Sequence, residues 1–255
     1  MDASHDRDHL AGLAKGLRIL EVFDSRHTRV TVAEAARQVG LSRASARRCL
    51  LTLAALGYVE TDGKRYWLGH GALRLAYAYV SSTRLPRLIQ PVLDALCERN
   101  RDSASLAVLF DAAAVIAARA TARRTMRIGL VVGSRLPLHC SAAGRVLLAG
   151  LPEAQAAALL LKQELRPFTA NTVTELSSLA TLLVECRANG YALCNEEIEL
   201  GVRSIGVPLF DAAGTVLAAL TISTRAERMT SGEMVQTYFP MLKAQQEWVR
   251  TRLLA

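Results

Sequence analysis

The chain has 255 residues, 51% of them hydrophobic and 21% charged, a usage that supports a packed core throughout and excludes an intrinsically disordered chain; the length accommodates two domains at about 100–200 residues each. The net charge of +8 is concentrated early: Arg26 to Tyr66 holds eight cations against three anions, which suits a polyanion because neutralised phosphates release counterions, although charge alone equally describes a basic solvated face. Five widely separated cysteines (Cys49, Cys97, Cys140, Cys186, Cys194) form no C-x-x-C pair and have no histidine at ligand spacing, so neither a metal site nor a disulfide scaffold is expected.

Residues 1–9 are polar and acidic, unlike a secretory signal, and no apolar run is long enough to span a bilayer, so a cytoplasmic protein without a membrane partner is expected. Leu13, Leu17, Leu20 and Phe23, with Ile19 and Val22 alongside, repeat at three- and four-residue steps and predict a first helix over about 10–24. Thr31-Val-Ala-Glu34 is a capping box that starts a second helix with Val32, Ala35, Ala36 and Val39 on its apolar face. Gly40 follows where a left-handed residue would stop it, and Ser42 can cap a third helix running to about Leu56.

Helix, glycine turn, helix is the helix-turn-helix pattern, in which the second member of the pair enters the major groove. On the third helix Ala46, Cys49, Leu50, Leu53 and Leu56 share one face, leaving Arg43, Ala44, Arg47 and Arg48 outward. An arginine there could take guanine bidentately or meet phosphate, and both assignments stay open. Tyr58–Thr61 and Arg65–Leu68 alternate around Asp62-Gly63, a hairpin-turn dipeptide, and so predict a wing. The expected partner is double-stranded DNA, contacted through Thr31, Ser42, Arg43, Ala44, Ser45, Arg47, Arg48, Lys64, Arg65 and Tyr66. The alternative is a basic protein-binding module.

Leu73, Leu75, Ala76, Tyr79 and Val80 favour a helix of about 71–83, which Pro86 separates from another of about 87–100. Its apolar stripe needs a partner, and dimerisation would also place two reading helices on successive major-groove faces. The expected domains are 1–69 (winged helix-turn-helix), 70–86 (linker helix) and 87–255 (ligand-binding). From Ala104 onward β-like runs (104–110, 114–120, 127–132, 204–210, 215–223) interleave with helical ones (about 141–149, 152–161, 174–189, 230–253). Asp211-Ala-Ala-Gly214 reads as a hairpin loop, and the whole as an α+β domain with an antiparallel sheet.

His139-Cys-Ser141-Ala-Ala-Gly144-Arg145 opens a helix with little side-chain bulk in its first turn. Free amides at Ser141, Ala142 and Ala143 together with the helix dipole could hold a ligand carboxylate; alternatively, the small residues let the helix pack closely on the sheet. Arg203 could be a charge partner for that ligand, or equally an ion-pair partner of Glu197 or Glu199. A hydrolase or isomerase acting on a small acid through His139 and Ser141 is the competing class. It lacks a G-x-S-x-G elbow and a Gly-rich phosphate loop, and Glu196-Glu197-x-Glu199 reads as a solvated turn. No catalytic residue is assigned.

Four stretches in order, KGLRILEVF (15–23), TVAEAARQVGLSRASARRCLLTLAALGYV (31–59), RLPLHCSAAGRVLLA (135–149) and NEEIELGVRSIGVPLFD (195–211), resemble the IclR family of bacterial regulators. The SRASARR run is most similar to the subgroup governing aromatic-acid and β-ketoadipate catabolism. The resemblance implies a winged helix-turn-helix, a linker helix and a GAF/PAS-like effector domain, assembled as a homodimer or a dimer of dimers. It also implies a small carboxylate effector, no cofactor, and either repression or activation. The family's pocket positions fall on Leu136, Ser141, Ala142, Ala143, Cys194, Ser204, Thr221 and Ser223, with Thr125 or Met126 at a further one. Cys194 departs from members with an acid there, and His70-Gly71 departs from the Pro-Arg pair usual after the wing.

Overall fold

In the computed structural model, which describes residues 10–24, 26–121 and 129–254, the Thr31 hydroxyl accepts from the Glu34 amide at 3.3 Å and the Glu34 carboxylate accepts from the Thr31 amide at 2.7 Å. This reciprocal cap starts α2 (Val32–Val39), which Gly40 ends in the left-handed region at φ 66°. Ser42 then accepts from the Ser45 amide at 3.2 Å and starts α3 (Arg43–Ala55). Before them lies α1 (Ala11–Leu20), shorter than expected and buried by a different stripe. Ile19 and Val22 enter the core, whereas Leu13 and Leu17 stay 61% and 50% exposed. So many positions of α1 are apolar that periodicity leaves several candidate faces, and packing against α3 selects the Ile19 edge.

The wing pairs β1 (Val59–Thr61) with β2 (Tyr66–Leu68), antiparallel with Glu60 opposite Trp67. Its loop is Asp62–Arg65, longer than the Asp62-Gly63 turn expected, because the Asp62 carboxylate accepts the amides of both Lys64 (2.9 Å) and Arg65 (2.7 Å). Next comes α4 (Gly71–Ser82). Gly71 admits no side chain: a Cβ there would stand 2.4 Å from the Gly57 carbonyl oxygen, to which its own amide donates at 3.0 Å. That contact is the reason the wing can run into α4 through His70-Gly71.

The chain divides between Ser82 and Thr83 into two units. In the second, α5 (Arg84–Asn100) begins before Pro86, not after it as expected. Pro86 occupies the first turn, where a missing N–H breaks no helical bond. A six-stranded antiparallel sheet runs β5 (Arg135–Leu136), β4 (Ala113–Ala120), β3 (Ser103–Phe110), β8 (Val216–Arg225), β7 (Val202–Phe210), β6 (Ala192–Asn195). Strand 127–132 is not found over its described part. Val131–Gly133 turn instead, with Gly133 at φ 88° and the Ser134 amide on the Val131 carbonyl at 3.0 Å.

Alternation along the strands gives the sheet two apolar faces. Ala104, Leu106, Ile205, Val207, Leu220 and Ile222 pack with α5 and with α9 (Ser231–Leu254). Ala107, Ala114 and Ala219 pack with α6 (Ala142–Ala149) and α8 (Leu176–Asn189), beside α7 (Glu153–Leu161). Toward one end that second face turns polar. Cys194, Ser204, Ser223 and Ser103 lie abreast on four adjacent strands, and Gly206, Thr221, Ser105 and Arg119 form the next row.

Candidate functional site

In the first unit, α3 buries Ala46, Leu50 and Leu53 and leaves Arg43, Ala44, Arg47 and Arg48 exposed. Ser42 and Thr31 are engaged as caps, and Ser45 is half-buried with its amide on Ser42. Lys64 and Arg65 project at the wing tip. Tyr66 departs from the expected contact surface: its side chain is 5% exposed and belongs to the core, while its backbone pairs with Val30. A cation not singled out from the sequence joins this side. The Arg29 guanidinium lies 4.2 Å over the Trp67 ring, whose indole N–H donates to Glu60 at 2.9 Å.

In the second unit, eight expected positions from separate stretches of the chain line one cavity of about 60 Å³. Leu136, Ser141, Ala142 and Ala143 come from β5 and the start of α6; Cys194, Ser204, Thr221 and Ser223 come from the polar end of the sheet. Met126 and Thr125 lie outside the described residues. The two readings of the α6 start concern different positions. Gly144 is there for close packing, since a Cβ would stand 2.4 Å from Leu138 Cα. Ser141 accepts the Gly144 amide at 3.0 Å and donates to the Pro137 carbonyl at 2.5 Å. Among the described residues no acceptor meets the buried amides of Ala142 and Ala143, which are therefore the open donors at the helix start.

Arg203 does not reach this cavity. It neighbours Ser204 on β7 and so points to the opposite face, where it donates to Asn195 (2.7 Å) and to the Ala226 and Met229 carbonyls. Glu197 has another partner, which the sequence did not suggest. Arg145 on α6 holds it bidentately at 2.7 and 2.6 Å, with the two side chains only 3% and 6% exposed. The Arg145 Nε also donates to the His139 carbonyl (2.9 Å), and Glu197 accepts the Val173 amide (3.3 Å). The acidic run is therefore no solvated turn: Glu197 is buried, Glu199 is half-buried, and both line the cavity. Burial pushes the Cys140 thiol up to about 12 and Cys194 well above its ordinary value, so both stay protonated.

His139 and Ser141 make no nucleophile–base pair. The His139 ring is buried; its Nε2 lies 3.1 Å from the Arg166 carbonyl, and its Nδ1 has no partner among the described residues. Burial lowers its pKa, against the opposing effect of that carbonyl, so the neutral ring donates from Nε2. The unfolded chain takes up this proton near pH 6.5, whereas the folded ring resists it, so stability falls as pH drops through about 6.5 toward the lower folded value. His139→Gln is expected to flatten the fall of the urea midpoint between about pH 7.5 and 5.5. An unchanged slope would show that other groups govern it.

Two family models match the chain: IclR helix-turn-helix domain over residues 12–63, and bacterial transcriptional regulator IclR C-terminal over residues 77–250. The Pca regulon regulatory protein of Pseudomonas putida is 38% identical over 240 residues, covering 94% of this chain and 82% of that protein. The p-hydroxybenzoate hydroxylase transcriptional activator of Acinetobacter baylyi is 35% identical over 241 residues, covering 92% and 89%. Among solved structures, an IclR homolog from Microbacterium hydrocarbonoxydans complexed with 4-hydroxybenzoate superposes with a TM-score of 0.76 at 26% identity, covering 95% and 99%.

Proposed function

The chain belongs to the IclR family of bacterial transcriptional regulators, and on that premise we propose that α3 and the wing bind operator DNA while the cavity beside α6 binds a small aromatic carboxylate that alters this binding. The observation that carries the DNA half is the division of α3 into a buried Ala46–Leu50–Leu53 edge and an exposed Arg43–Arg47–Arg48 side. The effector half is supported by the cavity's unpaired amides beside four side-chain hydroxyls, and by the 4-hydroxybenzoate carried by the relative from M. hydrocarbonoxydans. The domains proposed are 1–69, 70–86 and 87–255. The working assembly is a homodimer or a dimer of dimers, with exposed Leu73, Tyr77 and Val80 on α4 supplying apolar surface. No described helix is long and apolar enough to cross a membrane.

The cavity is smaller than the roughly 150 Å³ that admits a benzene. On this proposal a one-ring acid enters as the cavity walls part, and the ligand selects the arrangement in which they are parted. Its effect on DNA affinity is bounded by its preference for one of them, typically about 5- to 150-fold.

A mobility-shift titration on the protein's own upstream DNA, repeated across salt and with aromatic and dicarboxylic acids, tests both halves. Arg43→Ala and Arg48→Ala are each expected to weaken binding by about 5- to 150-fold. A phosphate-contacting arginine would also reduce the salt slope by about one. Unchanged affinity in both variants would remove α3 as the reading helix, and the absence of an effect from any acid would remove the carboxylate effector.

A further inference from the structure

We propose that Glu199 is a specificity-determining residue of the effector cavity: its carboxylate accepts the hydroxyl of a hydroxylated monocarboxylic acid and turns away dicarboxylates of the same shape. The proposal rests on the effector reading above and narrows it to one ligand class. The Glu199 Oε2 is buried and has no hydrogen-bond partner among the described residues, and the residue that carries it lines the cavity. A buried acceptor left unpaired carries its full desolvation cost, which a ligand donor relieves.

Charge around the cavity gives the sign. The Glu197 carboxylate is offset by the bidentate Arg145 guanidinium. The Cys140 and Cys194 thiols are protonated and contribute no charge. No described lysine or arginine lines the wall. Glu199 is thus the one lining carboxylate without a cation bonded to it among the described residues, and it favours an O–H over a second carboxylate. The ligand's own carboxylate has other donors to use: the open Ala142 and Ala143 amides at the α6 start. A molecule with one acid group and one hydroxyl satisfies both kinds of site, while a diacid satisfies only the first.

Calorimetric titration of the full chain with matched benzoates separates these cases. The series is benzoate, 3- and 4-hydroxybenzoate, isophthalate and terephthalate, tested on the parent, Glu199→Gln and Glu199→Leu. For the parent, one hydroxybenzoate is expected to bind about 10- to 100-fold more tightly than benzoate, and the matching diacid at least about 10-fold more weakly than benzoate. Glu199→Leu is expected to erase the hydroxyl preference and bring the diacid to within about threefold of benzoate, because both the acceptor and the repelling charge are gone. Glu199→Gln retains an acceptor, and should keep part of the hydroxyl preference while losing the penalty on the diacid. Benzoate binding by each variant is the control for folding. A parent that binds a diacid as tightly as its hydroxy counterpart, or a Glu199→Leu variant that keeps the preference, overturns the proposal while leaving the effector cavity standing. Failure of every acid to bind the parent overturns both.

Discussion

Glu197→Ala is expected to destabilise the second unit by about 3–5 kcal/mol, because it strands the Arg145 guanidinium where that side chain is 3% exposed. The ion pair joins two parts of the cavity wall 52 residues apart, helix α6 and the segment after β6. The Glu197 carbonyl also takes the Thr172 hydroxyl at 2.6 Å, so the loop before α8 is tied to the same point. The chain's two tryptophans fall one in each unit, Trp67 on the wing and Trp248 on α9. In a Trp67→Phe background, urea unfolding followed by Trp248 emission therefore reads the second unit alone. A loss below about 1 kcal/mol would place the pair among weakly contributing ion pairs. The double substitution Arg145→Met with Glu197→Leu is expected to recover part of the loss, since no charge is then left buried without its partner.

Asp102→Ala is expected to cost a comparable amount, about 3–5 kcal/mol, at a place remote in function from the cavity. Asp102 is fully buried just after α5, where it accepts from the Thr224 hydroxyl (3.0 Å), the Tyr238 hydroxyl and the Arg228 guanidinium. One carboxylate thus binds the end of α5 to β8, to the turn after it and to α9. Alanine leaves two buried hydroxyls and a guanidinium without their acceptor. Burial, helped by the bond to Asp102, holds the Tyr238 phenol well above its ordinary pKa. Alkaline titration of tyrosine absorbance should therefore show one tyrosine ionising earlier in the Ala variant. Asp102→Asn is expected to lose less, because it keeps one acceptor and the Tyr238 hydroxyl can reverse to accept from the amide. Equal losses for Asn and Ala would mean that the charge, and not the acceptor count, carries the contribution.

These two side chains mark where reading the sequence stops. The helix-turn-helix was legible because its signals are local: Thr31 and Glu34 are three residues apart, Gly40 needs only its own left-handed φ, and Ser42 caps an amide three residues on. The α6 start was legible for the same reason, and motif resemblance supplied the polar positions of β6, β7 and β8. The misreadings concern choices that neighbours make. Leu13 and Leu17 matched helical spacing as well as Ile19 and Val22 did, but only the latter enter the core. Tyr66 fitted a wing contact by type, yet its ring fills the core. β5, only two residues long, and β6, only four, exist through pairing with β4 and β7 and have too little length for a pattern of their own.

By itself the sequence determined the class of fold, the helix-turn-helix with its wing and the side of α3 that carries the arginines, since capping, chirality and hydrophobic period act over a few residues. Tertiary structure alone decided that Arg145 meets Glu197, that Arg203 finds Asn195 and the Ala226 and Met229 carbonyls, and that Glu199, which lines the cavity, keeps a buried unpaired oxygen. The physical reason is range. A buried charge must find a partner or remain costly, but which partner it finds depends on strand register and helix docking, which bring together residues that no local spacing relates.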